Sequence, residues 1–349
     1  MRDIGGDLAV HETRDIHHTM TNPAVSVAMS VYNGERFLVP AIESVLAQTM
    51  GQFEFLILDD GSQDQSRTIA EAYAARDPRI RVIARENRGL VISLNQLLDE
   101  ARAPLVARMD ADDICLPDRF ARQLAFFDAH ADHGVLGSRT TDIDEAGRPY
   151  PLDAGEHPLT HEELQHNIVA GGPLLAHPTV MYRRDIVLAG GGYHQAFRHC
   201  EDYDLWLRLA SRTRIANLPE RLLQYRHYAD QVSSRHALDQ QIGVAVSYLA
   251  WRERTAGRAD PTETLLALPP IEELDALFGR QGAASEVRGR AARALVYSRT
   301  ALREGAFDLL LQHVGEGGRG VDLWRTVVRL ARFGEPRRAL QLAAALTKG

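Results

Sequence analysis

Lysine is almost missing from this 349-residue chain: Lys348 is the only one, so nearly all of the 40 basic residues are arginine. Arginine suits phosphate recognition. Coding bias in a G+C-rich genome produces the same shift, so it carries no functional weight. Cysteine is scarce too. Cys115 and Cys200 lie far apart and have no metal-type spacing, which excludes a disulfide framework and fits a reducing cytoplasm. No apolar run reaches the length of a membrane span. The N-terminus is acidic and lacks the apolar centre of a signal peptide. There is no excess of positive charge. The formal net charge is −7, which gives no reason to expect nucleic acid as a partner. Two phosphate-binding signatures are missing as well. No Gly-x-Gly-x-x-Gly follows the first strand, and no Gly-x-x-x-x-Gly-Lys-Ser/Thr occurs. These absences leave a cytoplasmic protein, either free or at the inner face of the membrane, with room for one large domain and a smaller one.

What is present is an alternation of strand and helix patterns. Residues 1 to 22 are polar and without periodicity, and His11, His17 and His18 among them read as a stray cluster in a flexible tail. Pro23 opens the fold. Val25–Val31, Phe53–Leu58, Ile80–Ala84 and Pro104–Arg108 read as buried strands, with helical spacing between them from Phe37 to Leu46, Ile69 to Ala74 and Leu90 to Ala101. Asp64 or Ser66 caps the second helix. Such alternation predicts a mainly parallel sheet. The strand ends then carry Tyr32-Asn33, Asp59-Asp60, Asn87-Arg88 and Asp110–Asp113 to one edge, where open α/β sheets bind ligands.

The Asp110-Ala111-Asp112-Asp113 run is the chemical centre. Three carboxylates within four positions repel one another unless they are solvated or share a cation. A solvated acidic turn is the plain explanation of an isolated Asp-x-Asp. At a strand end the better explanation is Mg²⁺ or Mn²⁺ shared with a phosphate. The same edge supplies a ring (Tyr32), carboxylates that accept a base N–H (Asp59, Asp60) and a cation for phosphate (Arg88). Together these describe a nucleotide-diphosphate site.

The ordered segments Val25–Thr49, Phe55–Ser66, Glu86–Leu98, Ala107–Gln123 and Cys200–Ala210 resemble family 2 glycosyltransferases with the GT-A fold, over roughly residues 23 to 232. The resemblance implies a nucleotide-sugar donor, a divalent cation and transfer with inversion. By position it assigns Ser30 and Tyr32 to the nucleoside, Asp60 to a uracil-type base and Arg88 to the donor, with Asn33 a further donor-binding candidate. It assigns Asp110 and Asp112 to the ends of the metal motif, with Asp113 hydrogen-bonding behind them. The Glu201-Asp202 pair by itself is explained by the preference of acidic residues for a helix start. The family places its general base there, which gives Asp202 that role and Glu201 an orienting one. Asp204 reads as a surface charge, and His199 and Cys200 as neighbours without a required role. Within Tyr225-Arg226-His227, His227 is a candidate to complete the metal shell or touch the diphosphate, with a structural histidine as the alternative.

Between these centres, Gly134–Ser138 reads as a short strand, Asp142–Pro151 as a hairpin turn, and His177–Tyr182 as a later strand. Residues 153 to 177 read as a long mobile loop over the site. From 235 onward only helical patterns remain. The expected domains are therefore a tail (1–22), a GT-A domain (23–234) and an all-helical extension (235–349). Arginines near the C-terminus suit either anionic lipid or a solvated face. The acceptor expected from the resemblance is a saccharide or lipid-linked saccharide, in bacterial surface polysaccharide or glycolipid synthesis. A nucleotidyltransferase would also use strand-end aspartates and a metal, but its lysine-bearing glycine-rich loop is missing. A non-catalytic sugar-nucleotide sensor would not need the Glu201-Asp202 pair.

Overall fold

The computed structural model describes residues 22–151, 156–228, 231, 236–303 and 305–348. The tail with its three histidines, and Val232-Ser233 of the segment after His227, lie outside them. In β1 (Val25–Val31) and β2 (Phe53–Asp59), Val25, Val27, Met29, Phe53, Phe55 and Ile57 face one way. Ala28, Leu56 and Leu58 face the other. Side chains alternate along a strand, and here both faces are covered, which is why these strands read as unbroken apolar runs. On the first face lie α1 (Glu35–Leu46), α2 (Ser66–Ala74) and α4 (Arg119–Ala129). On the second lie α3 (Leu90–Glu100), α5 (His161–Ala170) and α7 (Glu201–Leu209).

The sheet has eight strands in the order β3-β2-β1-β4-β7-β6-β8-β5. The remaining strands are β3 (Ile80–Ala84), β4 (Leu105–Asp110), β5 (Ile114–Cys115), β6 (His133–Ile143), β7 (Met181–Arg183) and β8 (Arg214–Arg226). The first four are mutually parallel, β7 runs antiparallel to both β4 and β6, and β6 and β8 are parallel. This is the mixed, mainly parallel sheet flanked by helices that was expected.

Three local expectations are corrected. The segment 153–177 is not a structureless loop: its described part contains α5, started by a capping box in which Thr160 accepts from the Glu163 N–H and Glu163 reaches back. The strand expected over Gly134–Ser138 runs on to Ile143, because β8 pairs with its whole length through bulges at Ser138–Thr140. The strand expected from His177 begins only at Met181. A short 3₁₀ turn precedes it, and α6 (Arg184–Ala189) follows.

Beyond the sheet the described residues form helices without strands: α8 (Ala237–Thr255), α9 (Leu274–Leu277), α10 (Ala283–Leu295), α11 (Arg299–Arg303), α12 (Ala306–Gly315), α13 (Val321–Arg332) and α14 (Pro336–Thr347). They divide between two cores. Val246, Leu249, Leu274 and Val287 pack with Leu205 and Trp206 in the core of the sheet domain. Val296, Phe307, Leu310, Leu323, Leu330 and Leu342 form a separate one. Among the described residues no helix is long and apolar enough to cross a membrane.

Candidate active site

The register of β1, β2 and β4 places Ser30 beside Asp110 and Val31 beside Asp59, so the three strands deliver their carboxyl ends together. A cleft of about 1380 Å³ opens there. Ser30, Tyr32, Asn33, Asp60, Arg88, Asp110, Asp112, Glu201, Asp202 and His227 all line it. Single small-molecule sites usually occupy roughly 300–1,000 Å³, so this cleft has room for two ligands side by side.

At one end, Asn33 adopts a left-handed conformation (φ 51°) that asparagine tolerates. Its side-chain oxygen accepts from the Gln63 N–H at 2.8 Å, and its own N–H donates to Ser62. Asn33 therefore ties the turns after β1 and β2 together. Tyr32, beside it, is 52% exposed and free to meet a ligand with its ring. Asp60 is buried. Its carboxylate accepts from the backbone N–H groups of Arg88 and Gly89 and pairs with Arg85 at 2.6 Å. It thus shapes the loop whose exposed Arg88 side chain lines the cleft. Gly61 (φ 78°) is required here, since a Cβ would lie 2.6 Å from the Asn87 nitrogen. Arg85 was not legible as a site neighbour: nothing in its spacing marks it as the partner of Asp60.

In the middle, carboxylate oxygens of Asp110, Asp112 and Asp113 lie within 4.8 Å of one another. Arg108, fully buried beneath them, pairs with Asp110. Tyr228 donates to Asp112 at 2.8 Å, and the Arg226 N–H donates to Asp113 at 2.9 Å. Burial and the neighbouring Asp110 push Asp112 up to about 6, and burial with both neighbours pushes Asp113 well above the carboxylate range. One oxygen of Asp113 is buried without a partner among the described residues. Three carboxylates this close, under-supplied with donors, fit a divalent cation bound by hard oxygen ligands. His227 is not in the group. Its Nε2 is engaged by Asp142 at 2.8 Å and its ring stacks on Tyr150. It lines the same cleft through the end of β8. Arg226 and Tyr228, its chain neighbours, make the contacts to the acidic group that the sequence reading did not assign.

At the other end, α7 begins with Glu201 and Asp202. Burial and the adjacent Asp202 raise Glu201 to about 8, while burial raises Asp202 only to about 6 because the Tyr203 N–H donates to it at 2.7 Å. Both carboxyls are thus pushed toward the protonated form, Glu201 further than Asp202. His177 faces the cleft with Nε2 3.0 Å from the Tyr193 hydroxyl. Burial, with the Arg108 charge, holds it neutral. Asp204 is not a surface charge. It is fully buried and pairs with Arg208 at 2.8 Å, and Arg208 in turn donates to the carbonyls of Gly190 and Gly192. The cause is helical geometry: Asp204 and Arg208 stand four residues apart on the inward face of α7.

Comparison with known proteins matches this architecture. The family model for glycosyl transferase family 2 matches residues 26–190. The chain is 34% identical over 214 residues to the amylovoran biosynthesis glycosyltransferase AmsE of Erwinia amylovora, covering 60% of this chain and 79% of that protein. It is 31% identical over 211 residues to the O-antigen biosynthesis glycosyltransferase WbnJ of Escherichia coli, covering 58% and 79%. In fold it resembles S. aureus TarS 1–349 solved with UDP-GlcNAc (TM-score 0.53, 21% identity, 82% and 87% covered). It also resembles the mannosyltransferase PcManGT of Pyrobaculum calidifontis solved with GDP-Man and Mn²⁺ (TM-score 0.52, 17% identity, 94% and 87% covered). With two relatives above 30% identity matched over most of their length, this chain belongs to glycosyl transferase family 2, and it transfers a sugar from a nucleotide-diphosphate donor to an acceptor by metal-dependent chemistry.

Proposed function

We propose that the donor is a UDP-sugar, that transfer proceeds with inversion in one displacement, and that the acceptor belongs to bacterial surface polysaccharide or glycolipid assembly. The observation that carries the mechanism is the meeting of the Asp110–Asp113 group and the Glu201-Asp202 pair in one cleft. Asp110 and Asp112 are the residues to hold Mg²⁺ or Mn²⁺. Bound there, the ion supplies positive charge against the leaving diphosphate. Tyr32 stacks on the base, Asp60 and Asn33 fix the loops that hold it, Ser30 meets the nucleoside, and Arg88 meets the phosphates. Asp202 takes the proton of the acceptor hydroxyl, and Glu201, protonated, hydrogen-bonds and orients that acceptor. His227 flanks the diphosphate from the end of β8. The relatives support the setting: one is named for amylovoran biosynthesis and another for O-antigen biosynthesis. We place the enzyme in the cytoplasm at the inner membrane face, where a lipid-linked saccharide acceptor would be met.

A thermal-shift panel of nucleotide sugars, with and without Mn²⁺, tests the donor, because a ligand that binds the folded chain raises its melting temperature. UDP-sugars are expected to stabilise only when Mn²⁺ is present. Stabilisation by GDP- or dTDP-sugars in their place would reject the base assignment. Inversion is checked by the anomeric configuration of the product.

A further inference from the structure

The outward face of α13 is built unlike an ordinary solvated helix. Leu323, Thr326 and Leu330 are buried on its inner side. On the opposite side Val321, Trp324 and Val328 are 69%, 45% and 53% exposed, at the three- and four-residue spacing of one stripe. Arg325 and Arg332 lie along the same side of that stripe and are also exposed. Arg329 follows at its edge, its guanidinium 4.0 Å from the ring of the exposed Tyr297. Among the described residues no carboxylate is within ion-pairing distance of these three arginines. The only acidic residue of the helix is Asp322. From Val321 to the C-terminus the chain has six cations and two carboxylates, on a molecule whose net charge is −7.

We propose that this face of α13 docks the enzyme onto an anionic phospholipid surface, an inference that deepens the membrane-face reading given above and rests on it. Apolar and aromatic side chains on a ridge, edged by unpaired arginines, match the two layers of a bilayer interface. The tryptophan and valines enter the acyl boundary while the arginines meet phosphates. A second copy of the chain fits poorly, because a two-fold contact would set the same arginines against each other. A ridge rather than a groove also gives an acidic peptide nothing to lie in.

The test is cosedimentation of the full chain with vesicles of phosphatidylcholine alone, and of phosphatidylcholine mixed with phosphatidylglycerol, at low and high salt. Binding is expected only to the anionic vesicles and is expected to fall as salt rises. The double variant Arg325→Glu/Arg332→Glu should lower binding at least about tenfold, since each cation near a charged surface contributes on the order of a kilocalorie. Trp324→Ser/Val328→Ser should lower it with the charges kept. Both pairs are exposed and distant in sequence from the cleft residues, so transfer to a soluble acceptor should stay at the wild-type rate. That readout separates loss of docking from loss of the transferase. Equal binding to both vesicle types overturns the proposal, as does binding to neither, which would leave an acidic protein as the occupant. A concentration-dependent dimer abolished by Trp324→Ser/Val328→Ser would overturn it in favour of self-association.

Discussion

Glu201 and Asp202 are neighbours on one helix turn, yet the fold treats their charges differently. Glu201 is held at about 8 and Asp202 at about 6, both raised chiefly by burial. A base works in its ionised form, so kcat/KM should fall about tenfold per pH unit below roughly 6 and level off above it. Asp110 contributes to the rise of Asp202. Saturating Mn²⁺ offsets that charge and should move the acidic limb lower, which a profile at two metal concentrations would reveal. Above pH 8 Glu201 ionises and stops donating, giving a second limb that Glu201→Gln should erase while keeping near-neutral activity. Asp202→Asn should lower turnover by roughly 10²–10⁴-fold and leave the donor dissociation constant unchanged. Full activity in that variant would end the assignment. Asp112→Ala acts on the other partner of the reaction. Calorimetry should find the Mn²⁺-dependent donor binding gone.

Elements decide how accurately those side chains are held. α8 crosses the start of α7 at Gly243, where a Cβ would lie 2.4 Å from the Cys200 sulfur. Gln240, one turn earlier, donates to the carbonyl of His199, itself in a left-handed conformation with φ 71°. Gly243→Ala should therefore displace the Glu201-Asp202 turn. Overpacking of this kind costs about 1–3 kcal/mol, and kcat should drop along with the melting temperature. Removing the obstructing sulfur in Cys200→Ala/Gly243→Ala should restore both, whereas loss of an unrelated helix contact would not be rescued. Nothing in the sequence marks Gly243 or Gln240 as neighbours of the Glu201-Asp202 turn, because the contact joins residues about forty positions apart. The first four strands were legible for the opposite reason: their signal is local, apolar runs ending in Asn, Asp and Gly. α5 hid because it buries only Leu164 and Ile168 and its first seven residues are otherwise polar. Its one local signal was Thr160-x-x-Glu163. The strand-end groups Asp60 and Asp110 followed from topology and Ser30 from the family resemblance, while Arg85, Arg226 and Tyr228 reach the site through long-range pairing that a linear pattern does not encode.

At the scale of the whole molecule the question is where the transferase domain ends. The change from mixed to purely helical patterns put that boundary at 234–235. The packing argues for a later one. Val246, Tyr248 and Leu249 of α8, Leu274 of α9 and Val287 of α10 are buried in the same core as Leu205 and Trp206 of α7. Each such side chain contributes about 1.5–3 kcal/mol on burial, so removing all five costs on the order of 10 kcal/mol, comparable with the whole stability of a domain. α10 is the seam. Ala283 and Val287 face the first core, while Ala291 and Ala292 face the second, and this outer contact is mostly alanine. A chain ending at Ser298 should thus keep a cooperative thermal transition and a Mn²⁺-dependent shift with its donor. A chain ending at His236 should lose the transition and expose apolar surface to a fluorescent dye. If the shorter chain melted cooperatively and still bound donor, α8 to α10 would be an appended module rather than part of the catalytic body, and the positioning role argued for Gly243 and Gln240 would fall with it.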